Sequence, residues 1–561
     1  MSKQTLQKEA GSPTRQWLHS GSPGVWLTAG AVSFSLVMVF GLLLLIAVRG
    51  LGHFWPSNVV RLHLTGADAG YALGEVVDRE TVSAARLIDN GVAVPKGQET
   101  VNRLLLKVGN RNLTGADFQW FNDTDFDATQ YPRKTVVVER REWGNFYGYV
   151  QGIREGQQVL AIEGSPWPEI YQRVARAEQL RKDIAHIEKD LMGGVNYALE
   201  RLRLKTRRLE LDGVTSGAPL ADIAAERDAL NVRYAGFGKR LTTLNEQATR
   251  DTLLLETVNG VASEIRFYDI VRAYRPNAMS VPAKLKHYFA KLAEFVSTEP
   301  REANTEGGVF PAIFGTVMMV LLMSVFVSPF GVIAAVYLRE YAHQGLTTRI
   351  IRIAVNNLAG VPSVVYGVFG LGFFVYFVGG SIDQVFFPEA LPAPTFGTPG
   401  LLWSSLTLAL LTVPVVIVST EEGLARIPRS IREGSLALGA TKAETLWRTV
   451  MPMATPAMMT GLILAVARAA GEVAPLMMVG VVKLAPTLPL DGNLPFLHLD
   501  RKFMHLGFHI FDVGFQSPNI EAARPLVFAT SLLLVLIIVA LNLTAITIRN
   551  RLREKYNAAE S

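Results

Sequence analysis

Two charged residues, Arg468 and Glu472, stand inside a hydrophobic segment of the chain, VARAAGEVAPL at 466–476. A charge at the centre of a bilayer costs roughly 2.5–3.5 kcal/mol on insertion scales, so both side chains are expected to face protein or an aqueous cavity. Their i, i+4 spacing predicts a shared helix face on which they can pair. Because a guanidinium stays charged and binds two oxygens at once, Arg468 suits phosphate or another oxyanion. In this hypothesis Glu472 holds Arg468 when no anion is present and competes with the anion.

The same pair has a structural alternative, a buried ion pair that joins two helices. Desolvation offsets much of the attraction in such a pair, so its contribution to stability is weak. Ionisable residues within a membrane more often mark a substrate path. The sequence therefore favours a pathway role for Arg468 and Glu472.

The chain lacks the sequence features of an ATPase or a metal site. No G-x-x-x-x-G-K-[ST] sequence occurs, and the nearest fragment, GFGKR, lacks the upstream glycine spacing and the hydroxyl residue that would hold magnesium. His505 and His509 have helical spacing but no HExxH around them, and the chain contains no cysteine. We therefore expect no catalytic residue, no metal site and no cofactor in this chain, and no enzyme activity.

The residues with chemistry must be positioned by membrane helices. Runs of about 20 hydrophobic residues can cross ~30 Å of hydrocarbon. Six such runs occur, near 25–48, 309–338, 350–378, 400–420, 453–482 and 525–548. The first run is too long for the hydrophobic region of a signal peptide, so it is expected to remain as a helix.

The distribution of positive charge predicts the orientation of these spans. With the termini inside, fifteen Lys and Arg residues fall on inner segments, whereas the outer loop 379–399 has none and 483–523 has three. The positive-inside rule then places both termini in the cytoplasm and residues 51–308 outside.

The external insert, 51–308, is predicted to be an α+β domain with a helical hairpin. Strand-like segments such as RKTVVVERREW precede a region, 177–244, in which apolar residues recur at spacings of three and four. This pattern predicts an antiparallel hairpin, which either packs onto a core or serves as a docking arm for a partner. The insert has 34 basic and 34 acidic residues, and this neutrality argues against a nucleic-acid-binding domain.

An inner loop, 420–452, either fixes the topology as an ordinary basic loop or docks another protein. Gly434 and Gly439 flank a short helix-like stretch, and ATKAETLWRTV predicts a second short helix. Pro452 is expected to end this second helix before the next span begins. Two such helices can form a knob on the cytoplasmic face.

The third span is rich in small residues and contains Pro362. Small residues permit close helix packing, whereas proline frees a backbone carbonyl that protein or water must satisfy. Asn357, Pro362 and Ser363 are therefore candidates for lining the pathway, with close helix packing as the alternative.

Several segments give the chain a resemblance to a known family. Glu433-Gly434-Ser435, Gly439 and Pro452 resemble the EAA loop of ABC-importer permeases, with Gly434-Ser435 in place of the usual Ala-Ala. The segments ARAAGEVAPL, NLAGVPSVVYGVFGL, PREANTEGGVFPAIFGTV and FGVIAAVYLREYA are similar to the PstA-type permeases, the phosphate-specific members of these importers. Together they cover most of residues 300–480.

The resemblance implies a fold and a set of partners. The expected fold is an all-α polytopic membrane protein, the type I ABC importer permease fold with six transmembrane helices, carrying an extracytoplasmic α+β insert. The implied partners are a second permease of the PstC type, a homodimeric ATPase subunit that binds ATP and magnesium, and a periplasmic phosphate-binding protein. The implied location is the inner membrane of a bacterium. ATPase coupling is implied for Glu433, Gly434, Ser435, Gly439 and Pro452.

The expected domain order follows from these predictions. It is a cytoplasmic tail at 1–24, a first transmembrane helix at 25–50, the insert at 51–308 with its hairpin at 177–244, a permease core at 309–548 with the coupling loop at 420–452, and a cytoplasmic tail at 549–561. The expected function is import of inorganic phosphate by alternating access. The alternatives are a permease for sulfate, molybdate or phosphonate, and a membrane-anchored sensor or scaffold that uses the hairpin as its interaction surface.

Overall fold

The structure, a computed structural model, describes residues 22–65, 70–89, 99–161, 164–517 and 520–557. Within these residues, six helices are long and apolar enough to cross a bilayer. They are Gly24–Gly52, Phe310–Tyr341, Ser363–Phe386, Leu401–Arg426, Lys442–Gly471 and Ala523–Arg551, called spans one to six below. Most of the predicted tail 1–24 and the end of the predicted tail 549–561 lie outside the described residues.

Span four is the centre of the membrane part. In its most apolar window, 67% of the residues are buried, because spans two and five both pack along it. Gly331 of span two lies against Val416, and Gly461 of span five lies against Ser419, where the missing side chains permit close approach. Span six packs on span five, and span one packs on span six.

The third predicted run, 350–378, is not one continuous helix. An amphipathic helix, Leu346–Leu358, is followed by a break, and span three then starts at Ser363 and continues to Phe386 through the π-helical stretch Gly370–Gly379. The break has a local cause, since Pro362 has no N–H to donate to the carbonyl of Leu358.

Both pieces of this broken helix pack alongside span four. Val355, before the break, packs against the apolar cluster that includes Ile417 of span four. Gly370, after the break, lies against Thr407 in the N-terminal half of span four. The break therefore lies at the level of the middle of span four.

Span five begins earlier than predicted, and Pro452 does not end a short helix before it. The stretch ATKAETLWRTV belongs largely to one helix, Lys442–Gly471, which contains a π-helical turn at Leu446–Val450. The N–H of Met451 donates to the carbonyl of Leu446 in this wider turn. The turn accommodates Pro452, which has no N–H to donate to a carbonyl in the preceding turn.

The insert between spans one and two contains two antiparallel sheets. Its strands are β1 Val59–Leu64, β2 Gly70–Ser83, β3 Thr100–Lys107, β4 Phe118–Asn122, β5 Phe126–Gln130, β6 Val136–Arg140, β7 Phe146–Glu155, β8 Gln158–Leu160, β9 Asp251–Glu256, β10 Ala262–Arg266 and β11 Ile270–Tyr274. The first sheet has the order β4-β3-β2-β1-β5, and the second has the order β10-β9-β7-β6-β11 with β8 beside β7. A short pair, β12 Pro300–Arg301 and β13 Glu306–Gly307, leads into span two.

A long helical hairpin rises from the second sheet. Its helices are Trp167–Ala185, the π-helical His186–Met192, Gly193–Leu211 and Ala218–Thr249, so they extend beyond 177–244 at both ends. Ile170 and Ala177 at the base pack on the apolar side of the sheet. The hydroxyl of Tyr197 donates to the carbonyl of Leu494 in the loop between spans five and six. The hairpin therefore rests against the permease core as well as on its own sheet.

Shorter helices complete the described part of the chain. They are Ala84–Asp89, Arg111–Thr114, Val281–Ser297, Arg429–Ala437, Leu476–Val479 and Leu506–Phe511.

Candidate substrate pathway and coupling surface

Arg468 lies near the middle of the membrane part of the chain. Spans four and five are antiparallel, with Gly423 against Ala457 and Gly461 against Ser419. Continued along the helices, this register places Arg468 level with residues 409–412, close to the middle of Leu401–Arg426. Its side chain is half-buried.

The break before span three is close to Arg468. The hydroxyl of Tyr366 donates to the carbonyl of Leu358 at 2.6 Å. This is the carbonyl that lost its i+4 helical donor at Pro362, and it accepts the Tyr366 hydroxyl together with the N–H of Val361 at 3.2 Å. Tyr366 lies within electrostatic range of Arg468 and belongs to the same apolar cluster as Ala469.

The prediction that Arg468 and Glu472 share a helix face is wrong. Span five ends at Gly471, and Glu472 has an extended backbone with φ −82° and ψ 132°. The helix cannot continue because Pro475 has no N–H for the carbonyl of Gly471, and Ala474 precedes a proline. The backbone N–H of Glu472 donates to the carbonyl of Ala469 at 3.2 Å, but neither charged side chain forms a hydrogen bond or ion pair with another residue in the part of the chain that the structure describes.

The segment after Glu472 is irregular and buried rather than a continued span to residue 482. It contains the short helix Leu476–Val479, both of whose ends are fully buried. Pro475 lies against Gly367 of span three, and the carbonyl of Val479 accepts the N–H of Gly400 at 2.9 Å. Irregular backbone at membrane depth is tolerated where protein buries it or where it lines a cavity. Two interrupted helices thus meet at the level of Arg468.

The three predicted lining residues lie at the break. Asn357 and Pro362 are exposed in the isolated chain, and Ser363 is half-buried. The carbonyl of Asn357 accepts the N–H of Gly360 at 3.0 Å, so its role in the chain is to close the last helical turn. Lining of the pathway by these residues stays a prediction.

The inner loop is a short helix joined closely to span five. The helix Arg429–Ala437 contains Gly434, which therefore does not flank it as predicted. Gly439 follows with φ 91°, its N–H donates to the carbonyl of Leu436, and the N–H of Ala440 donates to that of Ser435. These two bonds form a Schellman motif, which requires a left-handed residue where Gly439 stands. The hydroxyl of Ser435 also bonds that of Thr445 at 2.9 Å.

Arg432 anchors the short helix to two spans. Its guanidinium donates to the carbonyls of Leu424 at 2.8 Å and Ile427 at 2.7 Å at the end of span four. It also donates to the carboxylate of Glu340, at the end of span two, at 2.9 Å. Arg432 therefore joins the short helix to the ends of both spans.

The exposed surface of this loop carries both polar and apolar residues. Glu433 is exposed, and no atom lies within 4 Å of a side chain added at Gly434 or Gly439. Leu438 is 91% exposed and Trp447 is 72% exposed. Exposed apolar groups of this size rimmed by polar residues mark interaction sites. We call these five residues the coupling surface. Pro452, in contrast, is half-buried inside span five.

Some of these residues were missed in the sequence. Leu438 and Trp447 stand in the predicted loop, but nothing in their spacing distinguishes exposed apolar residues from buried ones. Tyr366 follows Pro362 by four residues, and this spacing is the signal that a hydroxyl can reach the carbonyl four residues before the proline.

His505 and His509 are buried around the helix Leu506–Phe511. Nδ1 of His505 accepts the N–H of Gly507 at 3.1 Å, which caps that helix. Within the described residues, no group of three or more potential ligands could hold a metal ion.

The permease part of the chain is similar to known transport proteins. Residues 327–556 match the family described as binding-protein-dependent transport system inner membrane component. A Bacillus subtilis protein named probable ABC transporter permease protein YqgH is 31% identical over 34% of this chain, and the match spans only 59% of that relative's length. The phosphate transport system permease protein PstA 1 of Mycobacterium tuberculosis is 32% identical over 43% of this chain and 71% of its own.

One solved structure gives a weaker match. An inward-facing MetNI methionine ABC transporter is similar over 43% of this chain and 94% of its own, at 17% identity. Its TM-score of 0.32 is too low to carry an argument. The whole insert, 51–308, lies outside the residues that match the family.

Proposed function

The chain belongs to the binding-protein-dependent ABC permeases, among their PstA-type members, and from this we propose that it conducts inorganic phosphate through a pathway at Arg468. Such a permease is a transport component and not an enzyme. The proposal depends on the position of Arg468. Its side chain is half-buried and has no hydrogen-bond or ion-pair partner among the described residues. It lies near the end of one interrupted helix, level with the break in another. A site at the membrane midplane between discontinuous helices is typical of transporters.

Arg468 supplies the attraction for the anion. Its guanidinium presents several N–H donors in a fixed plane, which matches two phosphate oxygens at once. The attraction is stronger here than in water because the surroundings exclude solvent. Glu472 follows the helix end directly, and its charge repels an anion and attracts Arg468. Glu472 therefore keeps the site weak enough to release phosphate.

The two helix interruptions supply the points at which the pathway opens. The break at 359–362 and the helix end at Gly471 are level with Arg468, so the segments on either side of each can change their angle independently. Opening toward the outside moves the buried segment after Glu472. Opening toward the inside moves the helix Leu346–Leu358. Alternating access then needs no change in the centre of span four.

The partners follow from the permease role. An ATPase subunit, which binds ATP and magnesium, docks on the coupling surface, and Arg432 passes its movement to spans two and four. A second permease of the PstC type completes the pathway on the side of this chain where the side chain of Arg468 is partly exposed. A periplasmic phosphate-binding protein delivers the anion to the outer loops. This arrangement requires the bacterial inner membrane, with both termini and the coupling surface in the cytoplasm.

The test is uptake of radiolabelled phosphate by a strain that lacks its own phosphate permease and carries this chain with its neighbouring subunits. Arg468→Ala is expected to reduce uptake at least about tenfold, because it removes charge-assisted hydrogen bonds to the anion. Arg468→Lys keeps the charge but not the paired donors, so uptake is expected to fall less. The matched control is Arg203→Ala, which removes one arginine from the exposed face of the hairpin. Phosphate uptake by this variant is expected to be normal.

Excess sulfate distinguishes the cargo in the same assay. Uptake that resists sulfate supports phosphate, whereas strong inhibition by sulfate, molybdate or phosphonate assigns the site to that oxyanion. Normal uptake by Arg468→Ala, with uptake lost on deletion of 177–244, would contradict the pathway and favour a sensor or scaffold.

A further inference from the structure

Three arginines from distant parts of the sequence meet at the base of the hairpin, on the external insert. Arg141 directly follows β6, Arg181 lies in the helix Trp167–Ala185, and Arg301 lies in β12. We call these three residues the arginine cluster. It stands apart from the pathway, before the residues that match the permease family.

The carboxylates around the cluster do not balance its charge. Arg141 and Arg181 share one carboxylate, Glu178, with 3.6 Å between Nη2 of Arg141 and Oε2 of Glu178. Arg301 pairs with Glu294 at 2.9 Å, but Glu294 also pairs with Arg272 at 2.9 Å. Glu178 and Glu294 are therefore each shared between two guanidinium groups, and Arg272 has a second, longer contact to Glu139 at 3.8 Å.

Each arginine of the cluster has a buried donor without an acceptor. These donors are Nε of Arg141, Nη1 of Arg181 and Nε of Arg301, which have no hydrogen-bond partner among the described residues. Buried polar groups are nearly always hydrogen-bonded, because an unpaired one loses its solvation without compensation. Three such donors in one place indicate that an acceptor is missing from the chain itself.

The electrostatics of the cluster point to an anion. Burial, together with the charge of Arg301, lowers the pKa of Arg141 to about 10. Burial, together with the charge of Arg141, likewise lowers the pKa of Arg181 to about 10. Both remain protonated at neutral pH, so the three cations repel one another across a partly desolvated space. Tyr268, Glu294 and Asp269 partly offset this by raising the pKa of Arg141, and Tyr268 also raises the pKa of Arg181, whereas the charge of Arg301 lowers both.

We propose that the arginine cluster is a binding site for an inorganic oxyanion of the phosphate type, separate from the transport pathway. A tetrahedral oxyanion can accept all three unpaired N–H groups and neutralise the excess charge. The site is open on one side, because the side chains of Glu178 and Arg141 are 45% and 27% exposed. The anion enters there and displaces part of the contact to Glu178.

Occupation of this site joins three parts of the chain. Arg181 belongs to the hairpin, Arg141 to the second sheet, and Arg301 to the short strand that precedes span two at Phe310. The bound anion therefore couples the external concentration of the oxyanion to the packing of the hairpin against the membrane part. The proposal rests on this geometry and not on the identity of the transported cargo.

The test is equilibrium binding of radiolabelled inorganic phosphate to the purified full-length chain in phospholipid-free detergent micelles. The measurement uses an Arg468→Ala background, so that failure of the pathway proposal does not affect the result. Saturable binding is expected, and Arg181→Met is expected to weaken it about tenfold or more, since one charged donor set is lost. Arg203→Met is the matched control, because Arg203 pairs with Glu200 at i,i+3 as Arg181 pairs with Glu178.

Thermal unfolding in the same background separates an anion site from an ordinary ion-pair cluster. Phosphate is expected to raise the unfolding temperature of the background chain and of its Arg203→Met variant, but not of its Arg181→Met variant. Arg301→Met, on a different element, is expected to lose the same shift. Equal phosphate binding in the background chain and Arg181→Met, or no shift by phosphate in either, would overturn the proposal.

A further arm distinguishes free phosphate from a lipid headgroup as the source of the oxyanion. The binding assay is repeated in nanodiscs of phosphatidylcholine and of phosphatidylglycerol. Free phosphate is expected to bind equally in both. Loss of phosphate binding only with the anionic lipid would assign the cluster to a lipid headgroup and contradict a site for the free anion.

Discussion

Single residues decide how the interrupted helices near Arg468 are held. Arg468 could be identified in the sequence because a charge in an apolar run is costly. A tyrosine in such a run is ordinary, so only its spacing of four residues after Pro362 distinguishes Tyr366 in the sequence. The pairing of Arg468 with Glu472 was mispredicted because i, i+4 spacing has meaning only inside a helix, and Pro475 ends that helix at Gly471.

Tyr366→Phe tests the importance of the hydroxyl that bridges the break. The change removes the shorter of two hydrogen bonds to the carbonyl of Leu358 and leaves the N–H of Val361 at 3.2 Å, and the loss of one such bond costs about 0.5–1.5 kcal/mol. We expect a lower unfolding temperature of the purified chain and reduced phosphate uptake. The control is Tyr376→Phe in the same span, whose ring is 63% exposed. An unchanged unfolding temperature for Tyr366→Phe would mean that water replaces the hydroxyl.

At the scale of elements, hydropathy predicts the number of spans but not their interruptions. All six runs correspond to apolar helices in the structure. Pro362 indicated the break at 359–362, but the helix end at Gly471 was not located, because buried irregular backbone is as apolar as a helix. The reverse error occurred at Pro452, where a π-helical turn lets the helix continue through a proline.

Gly439→Val tests the element that joins the short inner helix to span five. Valine at φ 91° is strained by roughly 1–2 kcal/mol, and the Schellman bonds that orient the helix are weakened. We expect phosphate uptake to be lost while the protein still reaches the membrane, as measured by transport and by immunoblot of membranes. Gly439→Asn is the matched variant, because asparagine tolerates this conformation better. It is expected to retain more uptake; normal uptake by Gly439→Val would remove the loop from the mechanism.

The whole molecule combines a permease of predictable fold with an insert of unpredictable topology. The predicted α+β character of the insert and the six-helix core are confirmed. The strand orders were beyond prediction, since β9 pairs with β7 across the whole hairpin and local sequence contains no sign of that partner. The contact of Tyr197 with Leu494 is also long-range and depends on both units being folded.

The orientation of the whole chain is testable with single cysteines, because the chain contains none. Ala116→Cys, in the insert, is expected to react with a membrane-impermeant maleimide once the outer membrane is permeabilised. Ala443→Cys, near the coupling surface, is expected to react only after the inner membrane is lysed. Both side chains are exposed, so access to them reports the side of the membrane. The opposite labelling pattern would invert the proposed topology.

Span one has a further consequence for the insert. None of its most apolar window is buried within the chain, and Gly50 near its outer end lies against Phe528 and Ala529 of span six. Its 29 residues are about 42 Å long, whereas the hydrocarbon is ~30 Å thick. A helix of this length is accommodated by tilting or by local thickening of the bilayer. Because β1 begins at Val59, soon after the span, we expect acyl-chain length to act as a mechanical input to the insert.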